Sequence, residues 1–371
     1  MTWTAIGFLV LGVALLVWGA ELLVRGASRI AGAAGVTPLV IGLTVVSFGT
    51  SSPELAVSVA SAYRGEADLA LGNIVGSNIA NILVILGLSA LAAPLVVAHQ
   101  LVRFDVPVMI GISILTLLLG LDGSIGRIEG IILFIGVIFY VVHLIRQSRR
   151  RTAPDVEAEY QEEFGGEVTG PMWKNIALIV LGLAALVGGS HWLVEGAVSI
   201  ARWLKVSELV IGLTVVAIGT SMPEIATSVV AALRGERDIA VGNAVGSNIF
   251  NILCVLGMSS IVCPSGIPVP AAARHFDLPV MIGVAVACFP LFFHGYRIGR
   301  LTGLVFLVFY ASYVLHMVLN ATDHDALGSY ETVMGGVVLP ATALVLVILM
   351  VLGFRARKER IAESAALSRD G

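Results

Sequence analysis

Two segments of the chain place a glutamate directly after a proline within a long apolar stretch: SFGTSSPE at 47–54 and AIGTSMPE at 217–224. Proline has no N–H and clashes with the carbonyl four residues back, so Pro53 and Pro223 are expected to free backbone carbonyls in the preceding turn. In hydrocarbon a freed carbonyl is costly unless another group satisfies it, and a cation can do so. Hydroxyls and carboxylates stand beside these carbonyls, from Thr50, Ser51, Glu54, Thr220, Ser221 and Glu224.

A second polar row follows in the next apolar stretch of each half. Its members recur every four residues, which places them on one face of a helix. They are Asn73, Ser77 and Asn81 in the first half and Asn243, Ser247 and Asn251 in the second. Apart from the amide nitrogens, all these groups donate oxygen. Hard cations such as calcium take six to eight oxygen ligands, and the sequence has no His/Cys cluster that would favour zinc or copper.

Both rows belong to a longer duplication. Residues 42–87 and 212–257 align without a gap at a constant offset of 170, and 31 of the 46 aligned positions are identical. The likeness continues in FDVPVM at 104–109 and FDLPVM at 276–281. The two glutamates are therefore the same residue of a repeated unit.

The composition predicts that most of the chain lies in a membrane. Hydrophobic residues make up 57% of the 371 residues and charged residues 13%, about half of the ~25% that is typical of a soluble domain. A membrane helix needs about 20 mostly apolar residues. Eleven stretches qualify: 4–24, 38–62, 69–94, 104–121, 126–146, 175–200, 208–232, 239–263, 276–294, 299–319 and 333–353. No basic run suggests nucleic acid, and the three cysteines form no metal or disulfide pattern.

These spans predict the organisation of the chain. The units are a first five-helix repeat (1–146), a cytoplasmic linker (147–174), a second repeat (175–319), an extracytoplasmic loop (320–332) and an extra helix with a basic tail (333–371). Because five is odd, the second repeat enters the membrane upside down. The predicted fold is an all-α polytopic membrane protein with a ten-helix core of two inverted repeats and an eleventh helix. Such repeats are typical of secondary transporters, whose substrate site lies near the bilayer midplane.

Basic residues near the span ends predict the orientation. Arg146 and the arginines at 149–151 place the linker in the cytoplasm, because lysine and arginine concentrate in cytoplasmic loops. The N-terminus is then outside and the C-terminal tail inside, in the plasma (inner) membrane. Arg202 and Lys205 fall on the opposite side, so the rule is followed imperfectly.

Other charged residues are interpreted as structural. Carboxylates just before a proline at a helix start are expected to cap the helix or lie at the interface. Short charged loops are expected to be solvated turns, and opposite charges four residues apart to pair. The carboxylates before a proline are Asp105 and Asp277. The charged loops contain Arg64, Glu66, Arg234 and Glu236. The oppositely charged pair is Glu21 with Arg25.

The GTS-x-PE and GN-x-VGSNI-x-NIL segments resemble the alpha repeats of prokaryotic members of the sodium/calcium exchanger family, within the calcium/cation antiporter superfamily. The likeness covers roughly residues 4–319. It implies ten helices in two inverted repeats, and exchange of calcium for sodium, or for protons in related branches, without ATP or a cofactor. The implied partners are these ions and the lipid bilayer, with no obligate protein partner.

The resemblance also implies which residues hold the ions. Glu54 and Glu224 would ligate calcium. Hydroxyls, carbonyls and amides would complete the calcium and sodium sites: Thr50, Ser51, Thr220, Ser221, the carbonyls of Ser47 and Ala217, and the side chains of Ser77, Ser247 and Asn81. Some prokaryotic relatives carry aspartate where this chain has Asn251, so one carboxylate is absent here and the ion stoichiometry stays open. The eleventh span is extra to the ten-helix pattern.

The residues leave alternatives to a sodium-coupled antiporter. A calcium/proton antiporter of the same fold would also use two glutamates, although the hydroxyl-rich breaks favour sodium because a proton site needs no such cage. A cation channel is harder to exclude from sequence. A membrane-embedded enzyme would need a motif such as HExxH or GxSxG in a span, and the sequence contains neither.

Overall fold

Apolar helices make up most of the computed structural model, which describes residues 3–148, 171–205, 217–293 and 295–370. The helices of the first half are α1 (Trp3–Ala34), α2 (Pro38–Thr50), α3 (Ser52–Tyr63), α4 (Ala67–Ala92), α5 (Leu101–Asp122) and α6 (Arg127–Ser148). Those of the second half are α7 (Met172–Trp203), α8 (Ala217–Gly219), α9 (Met222–Leu233), α10 (Arg237–Val262), α11 (Ala273–Phe293) and α12 (Arg300–Ala321). A last apolar stretch, α13, covers Leu327–Gly353.

Ten of the eleven predicted spans are present among the described residues. Nine described helices are long and apolar enough to cross a bilayer, and the bent pair of α2 and α3 makes a tenth. The predicted seventh span, 208–232, is described only from residue 217, where α8 and α9 repeat the form of α2 and α3. Most of the predicted linker lies outside the described residues. The fold is an almost entirely helical membrane protein of two inverted five-helix repeats with an extra C-terminal helix.

Helices α4 and α10 form the centre of the molecule. In each, 83% of the residues in the most apolar segment are buried inside the protein, compared with 28% in α1 and α7 and 0% in α13. Both central helices change to a wider π-helical form at the same repeated position, at Asn81–Leu86 and at Asn251–Leu256. Single π turns inside α-helices occur frequently at functional sites. The polar rows of the sequence are therefore carried by the two most buried helices.

Helices α1 and α7 pack against each other through glycines spaced seven residues apart. Gly12, Gly19 and Gly26 of α1 face α7, whose Gly182, Gly189 and Gly196 face α1. A Cβ atom added at Gly182 would lie 2.7 Å from the backbone O of Gly19 and N of Leu23. Small residues at such positions allow two backbones to approach closely in a membrane. The seam holds the first helix of each repeat as one pair.

Two short antiparallel ladders tie the repeats together outside the helices. Leu95–Val96 (β1) pairs with Arg297–Ile298 (β4), and Ser124–Ile125 (β2) pairs with Ile267–Pro268 (β3). Each ladder joins the segment after a central helix of one repeat to the segment before the last helix of the other. The repeats are therefore interlocked at two related positions.

Candidate cation site

A helix break precedes the glutamate in each repeat, as the prolines predict. The axis bends by 47° between α2 and α3, where Ser51 adopts φ −82° and ψ 8°. Ser221 adopts nearly the same angles, −87° and 6°, between α8 and α9. The prolines fall in the first turns of α3 and α9, where a missing N–H costs least. Glu54 and Glu224 lie in those same turns and are each only 1% exposed.

Hydrogen bonds from one repeat reach the glutamate of the other. The Ser51 hydroxyl donates to Oε1 of Glu224 at 2.9 Å, and the Ser221 hydroxyl lies 3.3 Å from Oε1 of Glu54. Ser221 is also 3.3 Å from the Ser77 hydroxyl on α4. The threonine before each serine likewise contacts an asparagine of the opposite repeat: Thr50 with Asn243 and Thr220 with Asn73, both at 3.2 Å. The structure brings together the two breaks and the two central helices.

Several buried polar atoms beside these contacts have no hydrogen-bond partner in the described part of the chain. Oε2 of Glu54 and Oε2 of Glu224 are both unpartnered. So are the Ser247 hydroxyl and both amide atoms of Asn81 and of Asn251. An unsatisfied buried polar group costs about 1–3 kcal/mol, so these atoms need a partner such as a cation or water. The unpartnered set is rich in oxygen, which suits a hard cation.

The acidic part of the site contains two carboxylates. Within the described residues no group of three or more histidine, cysteine, aspartate or glutamate side chains could hold a metal ion. Asn251 is buried, with 1% of its surface exposed. It supplies a neutral amide and not a third carboxylate. The fixed charge of the site is therefore at most −2, which one divalent cation balances.

The fate of the freed carbonyls differs from the expectation. The Ser47 carbonyl accepts the Ser51 N–H at 2.9 Å and so retains a helical hydrogen bond. The Gly219 carbonyl, which Pro223 was expected to free for a cation, accepts the Ser190 hydroxyl of α7 at 2.5 Å. Proline did free this carbonyl, but a neighbouring helix satisfies it. Ala217 begins α8, and the Ser221 N–H bonds to Ile218 instead.

The role of Ser190 has no signal in the sequence, and some charged residues have partners that the sequence did not predict. Glu236 is not in a solvated turn, because it is 7% exposed and accepts the Ser28 hydroxyl of α1 at 2.6 Å. Asp105 is buried and makes no capping bond; it accepts the Tyr140 hydroxyl at 2.9 Å. Asp277 is half-buried and accepts the Tyr313 hydroxyl at 3.1 Å. The repeated FD and Y-x-x-H segments, at 104–105 with 140–143 and at 276–277 with 313–316, carried the signal for these pairs.

One expected pair is present with an added partner. Glu21 and Arg25 form the i, i+4 ion pair, at 2.5 Å, and Arg234 from the loop between α9 and α10 also binds Glu21. Together with the Ser28–Glu236 bond, this contact ties one end of α1 to the loop at 234–236. Glu66, the residue of the first repeat that corresponds to Glu236, is exposed. The two ends of the molecule are therefore not equivalent.

The fold and the site define a polytopic membrane protein whose inverted repeats each contribute one buried carboxylate to a shared cluster of oxygen atoms. The chain belongs to the sodium/calcium exchanger protein family, which matches residues 4–146 and 174–319.

Individual relatives agree with this assignment. Inner membrane protein YrbG of Escherichia coli is 39% identical over 289 residues, covering 76% of this chain and 87% of the relative. The sodium/calcium exchanger MaX1 of Methanosarcina acetivorans is 32% identical over 339 residues, covering 83% and 96%. A solved structure of the sodium-calcium exchanger NCX_Mj, soaked with zero Na⁺ and Ca²⁺, superposes with a TM-score of 0.72 at 31% identity. That match covers 85% of this chain and all of the other.

Proposed function

We propose that this chain is a secondary active antiporter that exchanges calcium for sodium across the membrane by alternating access. The observation that carries the proposal is the pair of buried glutamates, one from each repeat, each with an unpartnered Oε2 oxygen. An ionisable residue inside a membrane is expensive and is usually part of an ion pathway. Membership of the exchanger family supports the same conclusion.

Glu54 and Glu224 bind calcium in this proposal. Two carboxylates in a site with little water repel each other, and one calcium ion neutralises both. Sodium ions neutralise them one at a time at overlapping positions, so the two ions compete. The remaining ligands are neutral oxygens from the residues predicted above: Thr50, Ser51, Thr220, Ser221, Ser77, Ser247, Asn81, Asn251, Ser47 and Ala217.

Alternating access requires a part of the protein that moves past the site. The glycine seam supports movement of α1 and α7 as one unit against the other helices. The Ser190–Gly219 bond connects that unit directly to the break before Glu224. Movement of the pair exposes the site first to one side of the membrane and then to the other.

The proposed setting is the inner membrane, with the N-terminus outside and the linker inside. Arg146, at the end of α6, and the arginines at 149–151 carry this assignment through the excess of positive charge in cytoplasmic loops. The E. coli relative is described as an inner membrane protein. Cysteine accessibility at an N-terminal tag and at the linker in intact cells tests the orientation.

Calcium flux in proteoliposomes distinguishes sodium from proton coupling. The purified protein is reconstituted, and calcium uptake is measured with an outward sodium gradient or with a pH gradient of equal size. Uptake that follows the sodium gradient and is absent without sodium supports the proposal. Uptake driven equally well by the pH gradient without sodium would replace it with calcium/proton exchange. Flux without any counter-ion would indicate a channel.

A further inference from the structure

We propose that Asn73 and Asn243 are positioning residues of ion exchange, each of which orients a threonine hydroxyl of the opposite repeat toward the cation and thereby sets the affinity for sodium. The inference rests on the proposed function, because it concerns the same ions. Both asparagines belong to the polar rows of the sequence, but neither is among the ligands that the family resemblance implies.

The geometry is a chain of three residues that occurs twice. In one copy the Thr220 hydroxyl donates to Oδ1 of Asn73 at 3.2 Å, and Nδ2 of Asn73 donates to the Ser58 hydroxyl at 2.9 Å. The other copy repeats both distances with Thr50, Asn243 and Ser228. Each asparagine is on a central helix, its serine is in the same repeat, and its threonine is in the other. The chain therefore crosses the boundary between the repeats at two equivalent places.

The direction of the hydrogen bonds determines what the threonine offers to an ion. An asparagine amide has donors on its nitrogen and an acceptor on its oxygen. Since Ser58 accepts from Nδ2 of Asn73, Oδ1 faces Thr220. A hydroxyl has one proton. The Thr220 proton has two acceptors within reach, the Glu54 carboxylate and Oδ1 of Asn73, and Asn73 takes it once a cation occupies the carboxylate. Only lone pairs of the threonine oxygen remain for other partners, and a cation requires lone pairs.

Sodium depends more on this arrangement than calcium does. A divalent ion gains most of its binding energy from the two carboxylates, which lie four residues after these threonines in sequence. A monovalent ion gains about half as much from the same charges, because the Coulomb energy scales with the charge of the ion. Neutral oxygens therefore account for a larger share of sodium binding.

A second pair of asparagines on the same helices provides a matched control. Nδ2 of Asn78 lies 3.5 Å from the Asn248 carbonyl and 3.6 Å from the sulfur of Met281, and Nδ2 of Asn248 contacts the sulfur of Met109. Asn78 is 2% exposed and Asn248 3%. They match the positioning asparagines in residue type and match Asn243 in burial, whereas Asn73 is only half-buried. Their bonds do not reach the broken helices.

The test compares Asn73→Leu and Asn243→Leu with the control Asn78→Leu. Ion binding is read in detergent as the sodium and calcium concentrations that half-maximally raise the melting temperature, and exchange is read in proteoliposomes. We expect the half-maximal sodium concentration to rise about three- to tenfold in the first two variants, as for loss of one hydrogen bond. The calcium value should change less than about twofold. Asn78→Leu should leave both concentrations unchanged, whatever it does to stability.

A double-variant measurement separates positioning from folding. In a Thr220→Val background the threonine hydroxyl is already absent, so Asn73→Leu should raise the half-maximal sodium concentration no further. Ser58→Ala should also raise it no further in that background. Unchanged sodium concentrations in the single variants, or effects that add in the Thr220→Val background, would overturn the inference. Wild-type protein that binds sodium without exchanging calcium would contradict the proposed function, while the binding shifts would still test the positioning role.

Discussion

The hydroxyl of Ser51 donates to Oε1 of Glu224 at 2.9 Å, although the two residues belong to different repeats. The reciprocal contact from Ser221 to Glu54 is longer, at 3.3 Å. Each glutamate is thus held by the helix break of the other repeat. The two halves of the duplication form one site rather than two.

The first prediction concerns these serines. A hydrogen bond to a charged group is worth about 1.5–3 kcal/mol, so Ser51→Ala should weaken calcium binding by about tenfold or more. Ser221→Ala should have a smaller effect because its bond is longer. Isothermal calorimetry with calcium measures both. Ser52→Ala is the control, since the Ser52 hydroxyl donates to the Phe48 carbonyl. An equal loss of affinity in Ser52→Ala would show that the break, and not the glutamate contact, is responsible.

The second prediction concerns Ser190, which satisfies the Gly219 carbonyl from α7. Ser190→Ala leaves that buried carbonyl without its partner, at a cost of about 1–3 kcal/mol. We expect a slower maximal exchange rate, measured as initial calcium uptake at saturating ions. The counterpart of Ser190 in the first repeat is Ala20, which has no hydroxyl. Thr322→Ala, which removes an exposed intrahelical bond, should leave the rate unchanged, and an unchanged rate in Ser190→Ala would argue against the coupling.

The third prediction uses two adjacent glycines of α7. A Cβ atom at Gly189 would lie 2.9 Å from the backbone O of Gly12 and N of Leu16, whereas one at Gly188 would meet nothing within 4 Å. Gly189→Ala must push α1 and α7 apart and should cost about 1–3 kcal/mol. Gly188→Ala should be nearly neutral. The melting temperature in detergent and the exchange rate test this, and similar values for the two variants would contradict the close packing.

The sequence predicted most of the fold and the centre of the site because both depend on local, repeated signals. Apolar runs marked the spans, Pro53 and Pro223 marked the breaks, and the duplication required an inverted partner. The sequence could not predict contacts between distant helices. The Ser190–Gly219 bond joins residues 29 positions apart, and the Ser28–Glu236 bond joins residues 208 apart. Glu66 and Glu236 are equivalent in the repeat, so no local signal separates the exposed one from the buried one.

The fourth prediction follows from Glu236, which precedes α10 and lies outside the spans. Burial raises the pKa of Glu236 to about 7, although Ser28 and Arg234 favour its charged form. An unperturbed glutamate has a pKa of about 4.3, so the folded protein binds this proton more tightly than the unfolded chain does. The contribution of this carboxyl to the free energy of unfolding is fully present below about pH 4.3 and is lost as the pH rises through about 7.

Melting temperatures between pH 5 and pH 8, taken as about two units below and one above that pKa, measure this effect. The fall in melting temperature with rising pH should be smaller in Glu236→Gln than in the wild type. Glu66→Gln, which alters the exposed counterpart, should retain the wild-type slope. A Glu236→Gln protein with the full wild-type slope would show that this carboxyl does not titrate in the range.

Calcium flux through Glu54→Gln and Glu224→Gln proteins, in proteoliposomes with an imposed sodium gradient, tests directly whether the two glutamates bind the transported ion. Each substitution preserves shape and burial but removes one of the two charges that bind calcium. We predict that either change alone abolishes sodium-driven calcium uptake, while the purified variants remain folded by melting temperature. Exchange near the wild-type rate in either variant would contradict the central claim that the two buried glutamates together bind the transported ion.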